Sequence, residues 1–318
     1  MEPSNTPHFE RPLGIGGTDI AAILGLSPYK TPLEVWARLV GGTENTSADA
    51  LHLRFGRHAE SFIATEYERA TRLKTHAHPD TIFHPQHGFM FGHVDRLVCE
   101  ADEPVVSGGQ VKASRLLECK TASVFNRTEW GEEGSDQIPS TYLMQCAWYL
   151  AITRCEVADV AVLLGNSDFR IYQVRRDLEL EDLLLMHAQR FWSDHVLSMS
   201  PPSPVTAQDA AVLYPKNRPG SQVEASGPIY RSLERYREKL SQASELSNEC
   251  ERLKTEILAY MGDSERLCLR GKTLATWRCA KPSQRVDTKA LAAAHPDIAA
   301  SFTYEALGSR RFLLKDAQ

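Results

Sequence analysis

The stretch Leu116-Leu117-Glu118-Cys119-Lys120-Thr121 places a carboxylate and an ammonium two residues apart inside an apolar run. In a strand the side-chain period is two, so Glu118 and Lys120 share one face and Leu117 and Cys119 the other. Burying such a pair is expensive unless each charge has a partner or a metal. A second β-rich run, Gly92-His93-Val94-Asp95-Arg96-Leu97-Val98, supplies another carboxylate. An aspartate, then Glu-x-Lys on a neighbouring strand, is the arrangement that a phosphodiester-cleaving metal site needs. Two unrelated structural ion pairs would leave the same trace.

The elements that must position these residues follow from periodicity and chain breakers. In Gly14-Ile15-Gly16-Gly17-Thr18-Asp19, either Thr18 or Asp19 can cap a short helix bearing Ile20, Ile23 and Leu24, and Gly25 can stop it. Backbone amides at such a start can cradle an anion, although Gly-Gly before a helix also serves plain steric ends. A second helix carries Leu33, Val35, Trp36 and Leu39, and residues 41–49 read as an exposed connection. Leu51, Phe55, Ala59, Phe62, Ile63 and Tyr67 then recur at helical spacing. Glu60 flanks that stripe, either paired with Arg54 or Arg57 or aimed inward at a metal site.

Thr81 to Val98 alternates and breaks at Pro85-Gln86-His87-Gly88, as a hairpin would. His84, His87 and His93 are close in sequence but need not converge on such a hairpin. Leu116 to Lys120 is expected as the strand beside Asp95. Thr121 to Ser140, with Trp130, Gly131 and Gly134, reads as a mobile loop near the site. A helix from Pro139 to Ile152 then sets Gln145 and Tyr149 four residues apart, on one face. Two strands, Ala158 to Leu164 and Phe169 to Val174, and an amphipathic helix, Glu179 to Leu197, complete a body expected over residues 1–200.

Pro201-Pro202-Ser203-Pro204 opens an expected linker, 201–227. The extension, 228–318, begins with one long helix or two, marked by Ile229, Leu233, Tyr236, Leu240 and Ala243, then Leu246, Cys250, Leu253 and Ile257. A hairpin around Gly271-Lys272, a helix from Thr288 to Ala294 and a last strand from Arg310 to Leu314 should follow.

The seven cysteines are scattered and contain no C-x-x-C pair, which suits reduced thiols in an intracellular protein better than a disulfide frame or a zinc site. No apolar run can span a membrane, and the polar first ten residues lack a secretory signal, so a cytoplasmic location in a bacterium or phage-infected cell is expected. Net charge is −5, but unevenly spread: residues 1–227 carry 20 Lys+Arg against 29 Asp+Glu, and residues 228–318 carry 16 against 12. An acidic body with a basic extension is compatible with a metal-dependent enzyme acting on a polyanion.

Four separated segments together resemble the YqaJ-type viral recombinases, relatives of phage lambda exonuclease in the PD-(D/E)XK nuclease superfamily. They are Gly14-Ile15-Gly16-Gly17-Thr18-Asp19-Ile20, Phe55-Gly56 with Glu60, Asp95 with Glu118-x-Lys120, and Gln145 with Tyr149. The resemblance covers roughly residues 11–197. It implies a central mixed sheet flanked by helices, with a smaller C-terminal α/β extension. By the same resemblance, Asp95, Glu118 and the backbone carbonyl of Cys119 would hold Mg²⁺ or Mn²⁺, as hard oxygen donors suit these ions. Glu60 would serve a second metal or its water, Lys120 the attacking water and the phosphate, and Gln145 the nucleophile, supported by Tyr149.

Arg11, Thr18, Gly16 and Gly17 match the family's 5′-phosphate pocket. His93-Val94 stands where the family more often has proline before the aspartate. The implied activity is Mg²⁺-dependent 5′→3′ digestion of linear double-stranded DNA to 5′-mononucleotides, leaving 3′ overhangs for recombination. A homotrimeric ring around DNA and a single-strand annealing protein as partner are implied too. The alternatives are another polarity or an endonuclease on the same core, or an inactive scaffold that binds DNA ends.

Overall fold

In the computed structural model, which describes residues 13–41, 50–78, 80–99, 105–107, 110–283, 286–304 and 310–314, the body is built on one five-stranded sheet. Its strands are β1 (Lys74–His76), β4 (Arg96–Cys99), β7 (Arg115–Ala122), β8 (Val157–Leu164) and β9 (Asp168–Arg175), in the spatial order β1-β4-β7-β8-β9. Only β7 and β8 run parallel; the other neighbours are antiparallel, so the sheet is mixed. A parallel pair needs a long crossover, here supplied by α4 (Ser140–Thr153). β8 is covered on both faces, which explains its nearly unbroken apolar sequence, with Asp159 as the exception.

Alternation along the strands assigns the two faces. Leu116, Ala158, Val160 and Val162 enter a core with Trp148 and Cys146 of α4, Ile20 of α1 (Gly17–Ile23) and Leu184 of α5 (Leu178–Phe191). Leu117, Cys119 and Ala161 pack on the other side against Ala59, Ile63, Ala64 and Tyr67 of α3 (Leu51–Thr71). Helices therefore cover both faces, the α/β architecture expected. The apolar stripe of α3 faces the sheet only from Ala59 onward. Leu51 and Phe55 precede that part and Phe62 lies on its outer flank, so all three are exposed; spacing alone does not reveal where the sheet lies.

The expected hairpin is split between two sheets. β2 (Ile82–Phe83) pairs with β3 (Phe91–Gly92), after which β4 leaves to join the main sheet. A further short pair, β5 (Val106–Ser107) and β6 (Gln110–Val111), precedes β7. The stretch expected as a mobile loop is anchored instead. It contains a 3₁₀ turn, Val124–Glu129, and buries Trp130 against Tyr142 and Tyr172. The Gly134 amide donates to the Ile171 carbonyl at 2.9 Å, and the Gln173 amide to Ser135 at 3.0 Å. These bonds tie the loop to the free edge of β9.

α2 (Pro32–Gly41) lies in the body, and α5 runs on into a π-helical turn, Trp192–Leu197. Within the stretch expected as a linker, α6 (Ala207–Leu213) forms and is held by Thr31, whose hydroxyl donates to Asp209 at 2.9 Å. The chain divides into two compact units, 1–214 and 215–318. The second contains α7 (Gly227–Met261), a single helix of 35 residues, then the hairpin of β10 (Arg266–Leu269) and β11 (Lys272–Thr276). The turn is Arg270-Gly271, both at positive φ, and Lys272 already belongs to β11. α8 (Thr288–Ala294) and α9 (Pro296–Ser301) follow. Residues 310–314 form no strand, since β-prone residues need a ladder partner and none of the described residues supplies one. No helix among the described residues is long and apolar enough to cross a membrane.

Candidate active site

Glu118 and Lys120 point from β7 toward α4, as the strand period requires. Asp95 lies at the mouth of β4. In the β4–β7 ladder Arg96 stands opposite Leu117, so the next step brings Asp95 alongside Glu118. The Cys119 amide donates to Asp95 Oδ2 at 2.7 Å and fixes that carboxylate at the strand. Cys119 turns its side chain to the opposite face, among Ala59, Ile63 and Leu117.

From α4, Gln145 reaches the same point and uses both ends of its amide. Its Oε1 accepts from Lys120 Nζ at 3.1 Å, while Nε2 donates to Glu118 Oε1 at 2.8 Å and to the Tyr149 hydroxyl at 3.0 Å. Lys120 Nζ also donates to Glu118 Oε1 at 2.5 Å and lies 4.8 Å from the centre of the Tyr142 ring. Glu118 is 2 % exposed, and its second oxygen, Oε2, is buried with no hydrogen-bond partner. A buried acceptor left unmade costs free energy, so this oxygen marks a place where the chain alone does not complete the site.

The charges here are unbalanced. Asp95, Glu118 and Glu60 bring three carboxylates against the ammonium of Lys120 and the guanidinium of Arg96. Burial, then the neighbouring Asp95 charge, pushes Glu118 up to about 8. Burial also raises Asp95 against the pull of Lys120, and raises Glu60, which Asp95 raises further. Lys120 is held charged: Glu118 and Asp95 push its pKa above the ordinary value despite burial. The carboxylate in excess is what a proton or a cation would neutralise. Glu60 of α3 feels Asp95, Arg96 and Lys120, and Arg57 of its own helix as well.

Two glycines let the surrounding elements close in. A Cβ on Gly17 would lie 2.5 Å from the Tyr149 ring, and one on Gly92 would lie 3.0 Å from it. Trp148 Nε1 donates to the Phe91 carbonyl at 2.9 Å, locking α4 to the strand that leads to Asp95. Beside Tyr142 and Ala122 a cleft of about 350 Å³ opens, with Tyr29, Asn126 and Glu129 in its wall.

The glycine-rich helix start differs from expectation. Neither Thr18 nor Asp19 caps α1; Gly16 does, and its amide donates to Asp19 Oδ2 at 2.9 Å. Asp19 is fully buried and is also gripped by Lys30 at 2.7 Å and Arg38 at 2.8 Å. The anion at this helix start is thus the chain's own carboxylate. Thr18 is exposed, and Arg11 lies outside the described residues. The three histidines do not converge: His84 and His87 stack on each other, while His93 bonds Thr81.

Sequence reasoning passed over Tyr142 under Lys120, and a second buried network, Tyr67–Asp159–Arg115. The signal for the latter was visible in Asp159, a lone acid in the apolar strand Val157–Leu164. Arg115 Nη1 donates to both Asp159 oxygens, at 2.6 and 2.7 Å, and the Tyr67 hydroxyl donates to Oδ2.

The chain is similar to several known proteins. Residues 9–156 match the model of the YqaJ-like viral recombinase domain. The uncharacterized protein YqaJ of Bacillus subtilis (strain 168) is 31% identical over 299 residues, 91% of this chain and 88% of the relative. Among solved structures, an alkaline exonuclease from Laribacter hongkongensis is similar at a TM-score of 0.45 and 15% identity, covering 63% of this chain and 94% of that one. A phage-related exonuclease from Haemophilus somnus 129PT is similar at 0.41 and 13%, covering 59% and 97%. The extent of the match to YqaJ, spanning both units as well as the body that holds Asp95, Glu118 and Lys120, means that this chain belongs to the YqaJ-like viral recombinase family.

Proposed function

We propose that this chain is a metal-dependent deoxyribonuclease that digests linear double-stranded DNA 5′→3′, releasing 5′-mononucleotides and leaving 3′ overhangs for recombination. The observation that carries the reading is the unpartnered, buried Glu118 Oε2 in a cluster with Asp95, Lys120 and Gln145. The buried structural carboxylates Asp19 and Asp159 have both oxygens bonded by the chain, whereas Glu118 Oε2 is left for a cation.

The donors fit Mg²⁺ or Mn²⁺. Asp95, Glu118 and the Cys119 backbone carbonyl would hold the ion, with Glu60 at a second position. Among the described residues no three acidic, histidine or cysteine groups close into a cage. Mg²⁺ keeps several waters and is bound through one or two carboxylates together with substrate phosphate. When bound, the ion polarises the phosphodiester and acidifies water. Lys120, held charged, donates to a non-bridging phosphate oxygen and orients the water. Gln145 keeps Lys120 and Glu118 in place from α4, and Tyr149 holds Gln145. The water oxygen forms a bond to phosphorus as the bond to the 3′ oxygen breaks; the attacking water gives up a proton to solvent, and the departing 3′ oxygen takes one from solvent to leave as a hydroxyl.

Arg11 and Thr18 would hold the terminal 5′-phosphate, with the Gly16 amide already committed to Asp19. A trimeric ring enclosing DNA and a single-strand annealing protein as partner belong to the same reading. The test is end-labelled linear duplex beside closed circular duplex, in Mg²⁺ or in EDTA. Mononucleotides from the 5′ end of the linear duplex, only in Mg²⁺, are expected. Cutting of circles would make it an endonuclease, and end binding without turnover would make it a scaffold.

A further inference from the structure

We propose that α7 is a pairing surface for a second copy of this chain, with the two α7 helices lying antiparallel. At 1.5 Å per residue its 35 residues extend about 52 Å, yet Met261 is its only buried residue. Ile229, Leu233, Tyr236, Leu240 and Ala243 advance by alternating steps of four and three. Leu246, Cys250, Leu253, Ile257 and Tyr260 repeat that pattern after one additional step of three. This is the seam of a left-handed coiled coil, interrupted once by a stammer that overwinds it locally. The seam is open along its length: Ile229 is 61 %, Leu246 63 % and Tyr260 83 % exposed. Among the described residues one aromatic ring packs on it at a tilt, Phe312, whose centre lies 6.1 Å from that of Tyr236. A continuous apolar stripe of this size in water marks a protein interface.

The charges choose the occupant and its direction. Residues 227–243 carry Arg231, Arg235, Arg237 and Lys239 against Glu234 and Glu238, a net +2. Residues 244–261 carry Arg252 and Lys254 against Glu245, Glu249, Glu251 and Glu256, a net −2. A parallel pair would set like charge on like charge in both halves. An antiparallel pair sets each basic half on an acidic one, and flanking charges of this kind specify orientation in coiled coils. The antiparallel register that pairs the seam throughout places Leu233 across from Tyr260, Tyr236 from Ile257, Leu240 from Leu253 and Ala243 from Cys250, with Arg237 across from Glu256. The acidic half is also a poor match for nucleic acid, which favours a protein occupant over DNA. This pairing does not depend on the nuclease reading.

Two measurements on the full-length chain test it. The double variant Leu246→Glu/Leu253→Glu, at exposed positions, should keep its helical content yet halve the mass measured by sedimentation, however many copies the body itself brings together. A wild-type chain that sediments as a single copy, or a variant of unchanged mass, overturns the proposal. Separately, Ala243→Cys under mild oxidation should yield a disulfide between the engineered thiol and Cys250 of another copy, mapped by peptide mass spectrometry. A wild-type linkage of Cys250 to Cys250 would instead mean parallel helices and would overturn the antiparallel assignment.

Discussion

A Cβ added to Gly17 would stand 2.5 Å from the ring of Tyr149, and that contact joins α1 to the hydrogen-bonded group around Glu118. Tyr149 accepts from Gln145, and Gln145 bonds both Glu118 and Lys120. Gly17→Ala must therefore push the ring or α1 aside. Overpacking of this kind costs about 1–3 kcal/mol, and here the displaced ring also loosens Gln145. We expect a lower Tm together with a fall in nuclease rate. An unchanged rate at temperatures where the variant is fully folded would separate the packing of α1 from the site.

Glu118→Gln keeps the shape of the side chain while removing its charge. Lys120 and Gln145 keep a polar partner, so the fold should survive. Nuclease activity should fall by at least about 100-fold, the usual scale for losing a group that supports the transition state. In chelator at alkaline pH the variant should be more stable than the parent, because a buried carboxylate with one unpartnered oxygen is costly when ionised. A variant that retains activity would remove Glu118 from the chemistry.

The raised Glu118 gives a pH dependence whose sign is fixed. In the unfolded chain the carboxyl titrates near its ordinary 4.5, and in the folded chain near about 8. Between those values the folded state binds the extra proton, so metal-free stability falls as pH rises from about 4.5 to about 8, then levels off. Lys120 stays charged across this window and adds no slope of its own. A cation that pairs with ionised Glu118 should stabilise most once the proton has left. The rise in Tm on adding Mg²⁺ should thus be larger at pH 9 than at pH 6, and an equal rise at both would contradict binding at Glu118.

Glu118 and Lys120 were legible because a strand period of two puts them on one face, whatever the rest of the fold does. Gln145 and Tyr149 were legible for the same reason at helical spacing. The resemblance of four ordered segments then joined Asp95 and Glu60 to them. Other features depend on contacts that spacing does not encode. Gly16 and Gly17 suggested an anion cradle, yet the anion is Asp19, three residues from Gly16, and Gly17 is small because Tyr149 arrives from another helix. Leu51 and Phe55 continue the stripe of α3 past the part that packs on the sheet, and Phe62 sits on the outer flank of the packed part. The stretch from Thr121 to Ser140 is polar in sequence, but its fixed position comes from bonds to β9, an edge formed later in the chain.

Asp159 is the clearest case of a legible residue with an illegible partner, and it yields the last prediction. It is 2 % exposed near the start of β8, where Arg115 and the Tyr67 hydroxyl both bond it. Burial, then the hydrogen bond to Asp159, pushes the Tyr67 phenol far above its ordinary pKa, so it remains a donor across the working range. Tyr67→Phe removes one bond to a charged group and leaves the Arg115 pair intact, which should cost about 1.5–3 kcal/mol. Asp159→Ala strands Arg115 beside the emptied position and opens a gap under α3, so its loss should be larger, about 3–5 kcal/mol. Both variants loosen the C-terminal half of the helix that carries Glu60, two turns from the site. Thermal unfolding should therefore rank them wild type, Tyr67→Phe, Asp159→Ala, while the rate of Tyr67→Phe below its transition stays close to that of the parent. A reversed ranking would mean that the buried carboxylate, rather than its hydrogen bonds, is the costly element of this network.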